Sequence, residues 1–294
     1  MRKFSLLIII STLLACSVFS KKHNNATTRF YTQADSALVV QKINQYKDMA
    51  SMTTSNVLSM LALSFIDTPY ESHTLDTHDK EQLVINLRAF DCTTFIETCL
   101  ALSLTIKSDS PSFEEFCTIL ENIRYRDGKL IDYTSRLHYF SDWISDNSQK
   151  AYIIDITRQL GGIPYPNMVN FMSTHLEAYS QLKQNPDLIP SIQQTEKAIS
   201  SRNYFYIPKN NINSTDLSKA HGSIVAFTTN IDGLDIIHTG IIINEKQQIK
   251  LLHASSDKGK VVLSKTNIEE YIQGNKLQTG MMVIFPANTQ ISHK

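Results

Sequence analysis

The chain has 294 residues, 42% hydrophobic and 19% charged, enough apolar material for one large domain. That composition excludes collagen-like, disordered and disulfide-scaffold classes. Lysine plus arginine and aspartate plus glutamate each total 28, so the formal net charge is zero. A general nucleic-acid binder needs a basic surface to hold phosphates, so no nucleic-acid partner is expected.

Arg2 and Lys3 precede an apolar run from Phe4 to Ala15. Twelve residues rise about 18 Å as a helix, short of the roughly 30 Å hydrocarbon core. Residues 1–15 therefore read as an export signal peptide. The run ends Leu13-Leu14-Ala15-Cys16, which resembles the bacterial lipobox. That resemblance implies lipidation of Cys16, a membrane anchor through the lipid and a place in the periplasm. Ser17 follows, with no aspartate there to imply inner-membrane retention, so the outer membrane is the expectation. The alternative is an ordinary signal peptide with an incidental Cys16. Residues 16–34 are polar and suit a flexible tether, leaving 35–294 as a single domain.

Residues 37–50 and 55–66 carry apolar side chains at three-four spacing, which predicts two amphipathic helices. Thr68-Pro69-Tyr70 breaks the second. Residues 83–90 read as a short strand or an extended approach, and a helix follows from Asp91 to about Ile106. Ser112-Phe113-Glu114-Glu115 has the form of a capping box and starts a helix running to about Arg124. Arg126-Asp127-Gly128 turns the chain. Residues 167–182 and 191–201 are further predicted helices, separated by Asn185-Pro186 and Pro190.

The character changes after Pro208. Residues 223–228, 236–243, 249–253, 261–264 and 281–285 are short, rich in β-branched or aromatic residues, and separated by turns. Helices first and an antiparallel sheet afterwards predict an α+β fold, not an alternating doubly wound one.

With Cys16 lipidated, Cys92, Cys99 and Cys117 remain, an odd count that requires at least one free thiol. Asp91 is a good N-cap, which places Cys92 in the first turn of its helix. There the positive helix end favours a thiolate, and the exposed amides can hold an oxyanion. Cys99 and Cys117 fall in apolar stripes and read as core residues. No CxxC pair or HExxH is present, so no metal or other cofactor is expected.

A nucleophilic cysteine needs a base, and the base an orienting partner. Of nine histidines, His238 lies in the apolar strand Ile236-Ile237-His238-Thr239-Gly240-Ile241, and His253 closes the next strand. A turn near 245–248 would bring the two rings to neighbouring positions of one face. Taken singly, each is more often a satisfied structural residue. The stretch Arg136-Leu137-His138-Tyr139-Phe140-Ser141-Asp142-Trp143 sets polar donors among aromatics. It reads equally as a sugar-binding wall (Arg136, His138, Tyr139, Asp142, Trp143, with Asp91 nearby) or as a helix packed into the core.

Asp91-Cys92 opening a helix, followed by His238-Thr239-Gly240 and His253, resembles the NlpC-type papain-like cell-wall peptidases. Thr68-Pro69-Tyr70 is similar to that superfamily's PY element. DCTTFIE, RYRDGK and SRLHYFSDWI are similar to a subfamily formerly catalogued as a domain of unknown function and associated with N-acetylmuramoyl-L-alanine amidase activity. The likeness spans roughly residues 55–286. Asp67 and His73 depart from it, standing where glycine is expected, and 157–206 carries no signature, which suggests a helical insertion. The resemblance implies a papain-like fold in which Cys92 is the nucleophile, His238 its base and His253 the orienter, with Tyr70 on the oxyanion side. It further implies peptidoglycan fragments, muropeptides bearing the anhydro sugar, as substrates, and a monomer is expected. A γ-D-glutamyl-diamino acid endopeptidase and a non-catalytic wall-binding lipoprotein are the alternatives.

Overall fold

The computed structural model describes residues 28–288. The expected signal peptide, lipobox and Cys16 lie outside the described residues.

Helices dominate the first half, in the order β1 (Arg29–Phe30), α1 (Gln33–Tyr46), α2 (Thr54–Leu63), β2 (Leu83–Val84), α3 (Cys92–Ile106), α4 (Phe113–Arg124) and α5 (Phe140–Gln149). Then come β3 (Ile153–Asp155), β4 (Ile163–Tyr165), α6 (Phe171–Thr174), α7 (Ser180–Gln184), α8 (Ile189–Ser200) and β5 (Tyr204–Pro208). The chain closes with β6 (Ile224–Thr229), β7 (Ile236–Glu245), β8 (Gln248–Ser255), β9 (Lys260–Asn267), α9 (Ile268–Gln273) and β10 (Gln278–Pro286). The fold is α+β, as the order of patterns predicts.

The sheet runs β4-β5-β10-β6-β7-β8-β9, with β3 also paired to β10, and every pairing in it is antiparallel. Strand side chains alternate between faces. One face presents Ile224, Ala226, Ile241, Leu252 and Ala254 to the larger core, which α2 and α3 complete. The opposite face presents Val225, Phe227, Ile242 and Leu251, covered by Ile268 and Ile272 of α9. α2 comes so close to the entry of β6 that a Cβ on Gly222 (φ +73°) would lie 2.1 Å from the Ser55 carbonyl oxygen. Glycine supplies both the space and the left-handed backbone there.

Several predicted boundaries shift. The tether expected to reach residue 34 ends earlier, because Arg29–Phe30 pairs in parallel with Leu83–Val84 and Thr32 caps α1 in a capping box with Asp35. The single helix expected over 167–182 is instead two short helices and a 3-10 turn. Long-range bonds fix where the first of them starts: Asn170 and Phe171 N–H both donate to the Gly233 carbonyl, and the Met172 N–H donates to the Tyr139 hydroxyl. The 157–206 segment is not purely helical either, since β4 and most of β5 lie in it and extend the sheet. β4 carries Pro164, which an edge strand tolerates.

Candidate active site

Asp91 caps α3 as its sequence position predicts. Its carboxylate accepts from the Thr94 N–H at 2.7 Å, and its own N–H donates to the Thr94 hydroxyl at 3.0 Å. Cys92 is therefore the first helical residue and is half-buried, whereas Cys99 and Cys117 are buried free thiols. One turn further on, Glu97 receives the Arg124 guanidinium at 2.7 Å, with both side chains only 3% exposed. Arg124 also donates to the Val84 carbonyl at 2.6 Å, so α3, α4 and β2 are tied together.

The Pro69-Tyr70 element lies between the approach to Cys92 and the sheet. The Phe90 N–H donates to the Pro69 carbonyl, the Glu71 N–H to the Phe90 carbonyl, and the Tyr70 N–H to the Gly259 carbonyl at 2.8 Å. Burial pushes the Tyr70 phenol up to about 12, with Cys92 and Asp91 nearby adding to the rise, so the hydroxyl is a donor at neutral pH. Asp67 (φ 70°) and His73 (φ 60°) flank this element in the left-handed region. Those are the two positions at which glycine was expected, so the loop keeps its shape without it. Asp67 is held by its N–H to the Val261 carbonyl and by an ion pair with Lys260.

The other half of the site comes from β7 and β8. Lys246 (φ 50°) and Gln247 (φ 70°) form a two-residue turn of the kind that matches strand twist, fixing the register at Ile241 opposite Leu252. One step further along that register sets Gly240 opposite His253, and His238 falls two residues on, diagonal on the same face. The two rings meet: His238 Nε2 and His253 Nδ1 are 2.7 Å apart, with the ring planes at 83°. A Cβ on Gly240 would lie 2.9 Å from the Leu252 oxygen and 3.2 Å from the His253 Cβ, so glycine makes room for this contact. Thr239 points to the opposite face, where its hydroxyl donates to the Cys92 carbonyl at 2.8 Å. The residue next to His238 thus grips the backbone of Cys92.

Burial sets the charge state. It pushes the Cys92 thiol up to about 11, reinforced by the Asp91 carboxylate and opposed by hydrogen bonds from Thr239 and Thr93. It pushes His238 down to about 4, and His253 to about 3 with His238 adding to the fall. The resting groups are a neutral thiol and neutral imidazoles. The helix end favours a thiolate, and loss of solvation works against it.

The sugar-wall reading of 136–143 meets a buried polar lattice. Arg136 is buried against Asp76 (2.6 Å) and Glu81 (3.3 Å). His138 Nε2–H donates to the Tyr133 carbonyl, and burial followed by the Arg136 charge depresses it to about 3. Tyr139 is buried and donates to Glu196 at 2.8 Å, while Asp142 receives Arg126 and Arg202. Trp143 is 0% exposed and stacks on Phe140 at 4.7 Å. Neither Tyr139 nor Trp143 offers a ring face to a ligand; they bind α5 to its neighbours. Asp91 likewise spends its carboxylate on the α3 cap.

Two residues went unnoticed in the sequence. Tyr271 on α9 packs edge-on against His253 at 5.3 Å, and Gln278 lies beside its hydroxyl. α9 has only six residues, too few for a periodic signal. Its one readable sign is Asn267, which caps it ahead of Glu269 and Glu270.

Residues 60–281 match the model of the AmiA-like, N-acetylmuramoyl-L-alanine amidase-like family, well over half of the chain. The chain belongs to the AmiA-like family. It is similar to a solved N-acetylmuramoyl-L-alanine amidase of Bacteroides uniformis, at 34% identity over 79% of this chain and 98% of that one, with a TM-score of 0.76. A Bacteroides fragilis protein provisionally described as a xylanase is 40% identical over 76% of this chain and 98% of its own, with a TM-score of 0.73. A Legionella pneumophila protein matched by a family model of unknown function shares the fold at 21% identity, over 87% of this chain and 98% of its own, with a TM-score of 0.66. No curated protein matches. As an AmiA-like protein, the chain places the Asp91-Cys92 helix start, the histidine pair and the Pro69-Tyr70 element all within the matched span.

Proposed function

We propose that this AmiA-like protein is a peptidoglycan hydrolase with an NlpC-type papain-like mechanism, cleaving the amide between the lactyl group of N-acetylmuramic acid and L-alanine in muropeptides. The observation that carries the reading is the 2.7 Å contact between His238 and His253 beside a strand residue bonded to Cys92. His238 Nδ1 takes the thiol proton as sulfur attacks the carbonyl carbon, since Nε2 is engaged with His253. Nε2 therefore carries hydrogen and donates it to His253 Nδ1, which fixes the tautomer. The leading amides of α3 and the Tyr70 hydroxyl face the developing oxyanion. The C–N bond then breaks, the amine leaves with the proton from His238, and water hydrolyses the thioester to regenerate the thiol. Muropeptides bearing the anhydro sugar are the proposed substrates, and a lipid on Cys16 the proposed anchor, at the outer membrane.

Glycosidic cleavage, which the provisional description of the Bacteroides fragilis relative implies, calls for two carboxyl groups across the bond. Beside Cys92 lie the Tyr70 and Tyr271 phenols, the Thr239 hydroxyl and Asp91, whose carboxylate is spent on the α3 cap, so the set suits acyl transfer and not a carboxyl pair. Mass spectrometry of defined muropeptides digested by the wild type and by Cys92→Ala tests the reading. A peptide with a free N-terminal L-alanine and an intact sugar is expected from the wild type alone. A fragment beginning at the diamino acid would replace the amidase with an endopeptidase.

A further inference from the structure

Tyr271 touches every other ring around the histidine pair. It lies 5.5 Å from Phe227, 5.3 Å from His253 at 75°, and 6.4 Å from His238. Phe227 stacks on His238 at 6.2 Å and 11°, so the four rings form one cluster on the α9 face of the sheet. α9 is held there by the buried side chains of Ile268 and Ile272. Gln278 is only 2% exposed, and neither atom of its amide is hydrogen-bonded among the described residues, while the Tyr271 hydroxyl lies beside it. A buried amide without partners is costly, so this contact has reason to persist.

Rotation of an imidazole about its last side-chain bond is soft and roughly two-fold. The contact between His238 and His253 needs both rings at one setting, and the backbone alone does not choose it. We propose that Tyr271 is a positioning residue, which holds His238 and His253 at their right-angle setting and is itself fixed through its hydroxyl by Gln278. The inference rests on His238 and His253 acting as the base and its orienter. The titratable groups facing the pair are Asp257 on the β8–β9 turn and Tyr271 itself, with Cys92 in turn near Tyr271.

The test uses the full chain, with Tyr271→Leu, Tyr271→Phe, Gln278→Met and the double variant Tyr271→Phe/Gln278→Met. Nitrogen NMR of the histidine rings reads tautomer and titration without substrate, and muropeptide hydrolysis reads kcat and KM. Tyr271→Leu is expected to lower kcat at least tenfold with KM within twofold, and to raise the titration of both imidazoles by a pH unit or more as water reaches them. Tyr271→Phe and Gln278→Met each cut the same tether. Each is therefore expected to lower kcat about threefold, and the double variant no further. Wild-type kcat and titration in Tyr271→Leu overturn the proposal. Should that variant not fold, unaltered or additive losses in the other three overturn it. Wild-type protein without amidase activity, but with histidine resonances that shift in Tyr271→Leu, would remove the proposed function and leave the positioning role standing.

Discussion

Gly240→Ala is the substitution that most directly separates packing from alignment. The added methyl would lie 2.5 Å from the end of the Leu251 side chain, 2.9 Å from the Leu252 carbonyl oxygen and 3.2 Å from the His253 Cβ. Leu251 can turn away, but the carbonyl belongs to the β7–β8 ladder and cannot. Strand β8 must therefore move by several tenths of an ångström and take His253 with it. Overpacking of this kind costs about 1–3 kcal/mol. A misplacement on the order of 1 Å lowers turnover roughly 100-fold, so a smaller shift of the ring should lower kcat about 10-fold or more. Urea unfolding measures the first effect and muropeptide hydrolysis the second. Gly161→Ala is the matched control. It has open space at its Cβ and a φ of +89°, so it should lose stability through the backbone alone and keep its turnover. Wild-type kcat in a destabilised Gly240→Ala protein would refute the idea that this glycine sets the His253 position.

Four further outcomes are expected. Activity should hold a broad plateau, falling on the acid side as His238 protonates near pH 4 and on the alkaline side as Cys92 ionises near pH 11; a narrow bell centred near neutrality counts against a neutral resting pair. Both histidines titrate lower in the folded chain than in the unfolded one, which binds protons near pH 6.5. Stability is thus intact above that pH and should fall as the pH drops toward 4, by about 1.4 kcal/mol per pH unit per histidine, read by urea midpoints. Glu97→Gln leaves the buried Arg124 charge unpaired and should cost about 3–5 kcal/mol, much of it recovered in Glu97→Leu/Arg124→Leu; a loss near zero in the single variant contradicts this. Thr239→Val removes the hydroxyl that grips the Cys92 carbonyl and should lower kcat with little change in KM, while Thr239→Ser retains activity.

The parts of the site readable from sequence are those written in local chemistry. Asp91 before an apolar three-four pattern marks the helix start, and alternating β7 and β8 around a short turn bring the histidines to one face. The residues around 136–143 were not decidable that way. Arg, His, Asp and aromatics in close succession look the same whether they line a pocket or satisfy one another in the interior, and only the zero exposure of Trp143 separates the two. α6 begins where it does because partners some 30 to 60 residues away, Tyr139 and Gly233, take the amides of Asn170, Phe171 and Met172. Tyr271 escaped notice because α9 spans less than two turns. Asp67 and His73 show the reverse case: a loop can keep a glycine-like course when bonds elsewhere hold it.

The stretch from Asp67 to Glu71 works as a seam. On one side it is laced to Gly259 and Val261 through the amides of Asp67 and Tyr70 and the carbonyl of Thr68; on the other it is laced to Phe90. All of these stitches are main-chain, so the start of β9 is covered and the Phe90 approach to Cys92 is joined to the sheet through backbone, beside the Thr239 hydroxyl bond. Most side-chain replacements along the seam should leave the two halves of the site in register. Proline at Tyr70 or Glu71, which deletes a donor, is the change that would open it.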